Sequence, residues 1–184
     1  MSSEKKPTWV TVVAVIAIIF SSFGILNGAQ EIMMPHMVDF QKQMFEATTE
    51  GFRKQIEDSP QPTDPAARQT QESVLKMFDM FEKLFDFPEW YKSWLVVSGI
   101  LSLVVNGFYL LAAIWFLQLR RRSIPMIYIA FVLSIALGIT KVVVATNALS
   151  SVALFMMSGG LIAVVIELIL LIVVISSNKA CFDR

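Results

Sequence analysis

Glu167, Lys141 and Asn106 are polar side chains set deep inside long apolar stretches of the chain. A charge placed in hydrocarbon costs about 3 kcal/mol or more, so it turns towards protein or water and takes a partner. Counted at about 1.5 Å per helical residue from the predicted cytoplasmic ends of the spans, Glu167 lies about 16 Å in from Asn178, Asn106 about 21 Å from Arg120, and Lys141 about 25 Å from Ile124. The expectation is that Glu167 points into a helix bundle beside Asn106, with Lys141 reaching towards it. Two chemistries fit such a cluster. One is an interhelical polar clasp that fixes how the helices pack. The other is a proton or cation relay. A transporter generally adds internal repeats, broken helices and several polar residues along a path, and the sequence has no internal repeat, so the clasp is the preferred reading. Contact with the transmembrane helix of another protein is a third role for the same acid.

A second group is "EIMMPHMVDF", where Met33, Met34, His36 and Met37 gather thioethers and an imidazole, ligands that suit Cu(I). Met33 and Met37 also belong to an apolar helical stripe, which is the ordinary use of methionine, so no cofactor is expected. Pro35, in the same stretch, reads as a kink where the first span leaves the bilayer, and the hairpin as a continuation of the first two spans. His36 is the one histidine and Cys181 the one cysteine, which excludes an intrachain disulfide and a Cys/His zinc spacing. No nucleophile has a base beside it in sequence, and no glycine loop of the phosphate-cradling kind occurs. The chain therefore reads as non-enzymatic. Its formal net charge of zero gives no basic field for a nucleic-acid partner.

These residues need elements to position them. Of the 184 residues, 55% are hydrophobic, too many for a soluble domain and ordinary for a membrane protein. The predicted fold is all-α, with four transmembrane helices and an extramembrane antiparallel helical hairpin between the first and second. The predicted layout is an N-terminus over 1–8, a first span over 9–28, the hairpin over 29–90 and a second span over 91–119. A loop over 120–125, a third span over 126–147, a short turn over 148–152, a fourth span over 153–177 and a C-terminus over 178–184 complete it. The start of the fourth span is ambiguous, because "SSVALFMMSGG" suits either a helix or a partly buried connection. The first span reads as a retained signal anchor.

Lys5 and Lys6, Arg120 to Arg122, and Lys179 with Arg184 flank the spans on one side, which predicts cytoplasmic termini and an external hairpin. Arg120, Arg121 and Arg122 are expected to meet anionic lipid head groups. A bacterial inner membrane is the expected location, since no glycosylation acceptor and no disulfide pair is present.

Within 29–90 the periodicity is amphipathic. Met33, Met37, Phe40, Met44, Thr48, Phe52 and Ile56 recur at helical steps; so do Ala67, Val74, Phe78, Phe81 and Phe85. The expectation is that each stripe faces the other across the hairpin, with Pro65 at the first position of the second arm. Two helices make a thin core, and Phe45, Leu75, Met77, Met80 and Leu84 lie off the stripes. Surplus apolar surface of this kind marks an interaction site, so Phe40, Met44, Phe45, Phe52, Phe78, Phe81 and Phe85 are the predicted contact residues. The partner is another membrane protein or further copies of the chain. Pairs of small residues, Gly24 with Gly28, Ser134 with Gly138, and Gly159 with Ala163, predict close helix approaches. The expected function is an accessory subunit or self-associating scaffold. The alternative is a small ion or proton channel or transporter using Glu167, Lys141 and Asn106.

Overall fold

A computed structural model describes residues 6–58, 65–85, 87–148, 158–179 and 182. Among them the chain is helical throughout, in five helices: α1 (Thr8–Glu57), α2 (Pro65–Phe85), α3 (Glu89–Leu117), α4 (Ser123–Ala148) and α5 (Ser158–Ser176). Three of these, α1, α3 and α4, are long and apolar enough to cross a membrane. The apolar helix Gly160–Ser176 is shorter, and the residues before it, where an earlier start was predicted, lie outside the described set. In hydrocarbon a helix is favoured even for β-branched runs, because it alone satisfies its backbone polar groups within one segment.

The predicted first span and the first arm of the hairpin are one helix: α1 runs past residue 28 and through Pro35, unbroken for 50 residues, about 75 Å at 1.5 Å per residue. Pro35 removes one donor, the one that would reach the carbonyl of Glu31, and the helix tolerates that single loss. The predicted breaker "DSPQPTDP" falls largely on residues outside the described set, and α2 then opens on Pro65. Pro88 precedes α3, and its carbonyl accepts hydrogen bonds from the amides of Tyr91 and Lys92.

The end of α3 is a Schellman cap. The Arg120 amide donates to the Trp115 carbonyl at 3.3 Å and the Leu119 amide to the Phe116 carbonyl at 3.0 Å. Leu119 takes the left-handed position, φ 58°, where glycine is usual. Its side chain packs against the buried core, which offsets the strain of a Cβ in that conformation.

The chain divides into two compact units, Met1–Ile32 with Trp94–Arg184, and Met33–Ser93. In the first, the start of α1 packs with α3, α4 and α5. Its core is Val10, Val13, Ala14 and Ala17 from α1, Tyr109, Ala112, Ala113 and Phe116 from α3, Ile127, Ala130 and Phe131 from α4, and Leu170 and Val174 from α5, with Phe182 beside them. The rings of Trp9, Phe116 and Phe182 stack with centroids 5.0 to 6.3 Å apart. The opposite faces of the same helices expose Ile19, Phe23, Val104, Val132, Ile162, Ile169 and Ile172. Large aliphatic side chains on the outward faces of helices long and apolar enough to cross a membrane suit surroundings of lipid.

Glycines set the helix separations. A Cβ added to Gly28 would stand 2.9 Å from the Gly99 carbonyl oxygen and from Ser102 Cβ, so α1 and α3 touch backbone to backbone there. A Cβ on Gly138 would stand 2.7 Å from Val164 Cγ2, which marks the contact of α4 with α5.

The second unit pairs the later part of α1 with α2. Phe45 meets Phe78 edge to face at 6.2 Å, Gln71 donates to the Ile56 carbonyl at 3.3 Å, and Arg53 bonds Asp79 at 2.8 Å. Val38, Thr49 and Tyr91 are buried, and Lys92 is held by Asp39 and Glu89.

Candidate functional site

Two features stand out: a polar interior in the first unit and an apolar stripe in the second. The interior faces of the four packed helices change character along their length. At the Trp9 end they are apolar. One turn beyond Tyr109, Phe131 and Leu170 come Asn106, Ser134 and Glu167, each three residues on along its helix, joined by the buried Ser21 of α1. One to two turns further come Ser102 and Ser98 on α3, Lys141 on α4 and Glu31 on α1. Helical spacing of three and four residues keeps each series on one face.

Lys141 is fully engaged. Its Nζ donates to Glu31 Oε1 at 2.7 Å, to Glu31 Oε2 at 2.8 Å and to the hydroxyl of Ser102. An ammonium has three donors, so none is left over. Ser98 Oγ donates to Glu31 Oε2 at 3.0 Å, and Ser102 Oγ in turn donates to the Ser98 carbonyl at 2.8 Å. Asn106 Nδ2 donates to the Ser102 carbonyl at 2.8 Å. The Asn106 side chain occupies the space where a Cβ on Gly24 would lie. Glu167 is 5% exposed, and its Oε1 accepts from Ser134 Oγ at 2.7 Å.

The expected triad is therefore corrected. Lys141 does not reach towards Glu167 but pairs with Glu31, and Asn106 bonds the backbone of its own helix instead of bridging the two. The reason is the continuity of α1. Because the helix passes residue 28, Gly24, Gly28 and Glu31 share one face, and Glu31 arrives at the level of Lys141. Glu31 falls within the stretch 29–90 that the sequence assigns to the external hairpin. The signal that finds it is the spacing: small residues at 24 and 28 lead to an acid at 31, opposite Ser98, Ser102 and Asn106 at intervals of four.

The stripe is also corrected. The inward residues of later α1 are Pro35, Val38 and Thr49, which are buried, with Phe45 half-buried, not the series that begins at Met33. Met33, Met37, Phe40, Met44 and Phe52 are exposed, Phe40 to 62% and Met44 to 56%. On α2, Val74 and Phe78 are half-buried as expected, while Met77 and Met80 are exposed. The side chains of Phe81 and Phe85 lie outside the described set. The apolar arc of α1 is wider than one partner helix covers, so contact with α2 leaves its other edge bare.

Met34 and His36 are likewise exposed, in the same stretch of helix as Met33 and Met37. Among the described residues no group of three or more His, Cys, Asp or Glu side chains is placed to hold a metal. Arg120, Arg121 and Arg122 are exposed, and the Arg120 guanidinium lies 5.8 Å from the Trp115 ring centroid, the geometry of a cation–π contact. No family model, no curated protein and no solved structure matches this chain.

Proposed function

We propose that this chain is a non-enzymatic integral membrane protein that works by assembly, as an accessory subunit or a self-associating scaffold. Its four apolar helices span the membrane. Residues 33–93 form an external helical hairpin, and the termini and Arg120 to Arg122 lie at the cytoplasmic face against anionic lipid heads. The Glu31–Lys141 pair with Ser98 and Ser102 ties α1, α3 and α4 together within the first unit. The observation that supports the reading is the bare stripe of Met33, Met37, Phe40 and Met44 on α1. A row of large apolar side chains outside the bundle, rich in adaptable methionine, fits a helix-against-protein contact.

The experiment is co-purification of two differently tagged copies in mild detergent, with mass-spectrometric identification of any other protein retained. Recovery of both tags supports the scaffold. Recovery of one tag with a stoichiometric second membrane protein supports the subunit. Phe40→Ser with Met44→Ser is expected to abolish either association while the monomer stays helical. A single-tag particle with no companion would overturn the proposal.

A further inference from the structure

Helix α1 carries two seams with the same spacing. On its inward edge Ser21, Gly24, Gly28, Glu31, Pro35 and Val38 follow one another at alternating steps of three and four, and each is buried or half-buried. Gly24, Gly28 and Glu31 touch α3 or α4 there. On the outward edge Met33, Met37, Phe40 and Met44 follow at steps of four, three and four. Counted back along the same unbroken helix, the alternation continues through Gln30, Leu26 and Phe23, and every one of these side chains is exposed. A straight α-helix drifts by about 20° per heptad from a repeat of 3.5 residues, so a face that only meets lipid or water has no reason to keep that repeat. Knobs-into-holes packing against another helix requires it. One seam is filled by helices of its own chain; the other is bare.

Charge and polarity along the bare seam say which helix fits it. With the outward series at heptad positions a and d, the formal charges between Ser22 and Thr48 are Glu31, Asp39, Lys42 and Glu46. They fall at positions b, c, f and c, off the seam and off its e and g flanks. His36 is the one titratable side chain on the flanks. A copy of α1 can therefore lie along α1 without opposing like charges, which would cost several kcal/mol in a wrong pairing. Gln30 occupies an a position in an otherwise apolar series. Its carboxamide both donates and accepts, so across a two-fold axis it bonds its own copy, whereas an apolar partner leaves it unpaired. A single polar a residue of this kind fixes register and strand number. Pro35 falls at position f on the inward edge, so its missing donor does not interrupt the seam.

We propose that two copies of this chain pair through their α1 helices as a parallel, in-register, left-handed coiled coil, with Gln30 bonded to Gln30 and Phe40 packed on Phe40 across the axis. The inference rests on the assembly reading and names its partner as a second copy. Parallel pairing follows from the membrane reading, because copies inserted in one bilayer point the same way. Each residue then meets its own copy at the same level, and the two seams match in length from Phe23 to Met44.

The test is disulfide scanning of the full-length protein in proteoliposomes, on a Cys181→Ser background, with a mild oxidant and non-reducing gels. Gln30→Cys, Met33→Cys, Met37→Cys, Phe40→Cys and Met44→Cys should each give a two-copy band several-fold faster than Glu46→Cys and Phe52→Cys. The last two are exposed on the same helix at positions c and b. Equal rates along the helix, a maximum at c or b, or no two-copy band in a protein shown to be helical would overturn the α1 pair. Particle mass in mild detergent separates that failure from failure of the assembly reading. Two copies without cross-linking at the seam, three or more copies, or one copy with a different protein retained would overturn the pair and leave assembly standing. One copy alone would overturn both.

Discussion

Removing one partner of a part-buried ion pair leaves the other charge stranded, and at the residue scale Glu31 and Lys141 make this the sharpest prediction. Lys141→Met alone should destabilise the protein by about 3 kcal/mol, because Glu31 is then left facing helices without a cation. Glu31→Met should do the same to Lys141. The double variant should recover most of the loss, since two apolar side chains replace two compensated charges. Thermal unfolding in detergent across the four proteins measures it; additive losses would mean the two residues act separately. Asp79→Asn, which breaks the ion pair of Asp79 with Arg53 on an exposed helix surface, should change stability by no more than about 1 kcal/mol. The sequence made the need for a partner legible at Glu167 and Lys141, because an ionisable group in an apolar run cannot stand alone. It did not reveal which partner. Side-chain choice depends on helix rotation and on where α1 ends, and a segment boundary drawn at Ala29 removed Glu31 from the set of candidates.

At the scale of elements, the helices were legible from length and apolarity, and their contacts from small residues. Gly24, Gly28, Ser134 and Gly138 all lie at helix contacts. The surroundings of Gly159 lie outside the described set. Gly28→Leu is predicted to force α1 and α3 apart, since a Cβ alone already falls at 2.9 Å from backbone and side chain of α3. The variant should lose folded yield in detergent. Gly51→Ala, on a glycine with open space around it, should be neutral or slightly stabilising as a better helix former. Equal behaviour of the two would show that the close approach of α1 to α3 is not needed. The face that α1 turns to α2 was not legible. Its apolar residues cover more of the helix circumference than one neighbour occupies, and the series at Val38, Phe45 and Thr49 includes a polar residue that periodicity alone assigns to the flank. Thr49 satisfies its hydroxyl on the Phe45 carbonyl at 2.7 Å, so it is buried without an unpaired group.

At the scale of the whole molecule, the second unit exposes more apolar surface than its own helices cover. That surplus carries the proposed function, and particle mass in a mild detergent tests it most directly. The account predicts that the purified full-length chain forms a particle heavier than one copy with its detergent belt, and that Phe40→Ser with Met44→Ser reduces it to one copy. A wild-type particle of one copy, with no second protein bound and unchanged by the double substitution, would contradict it.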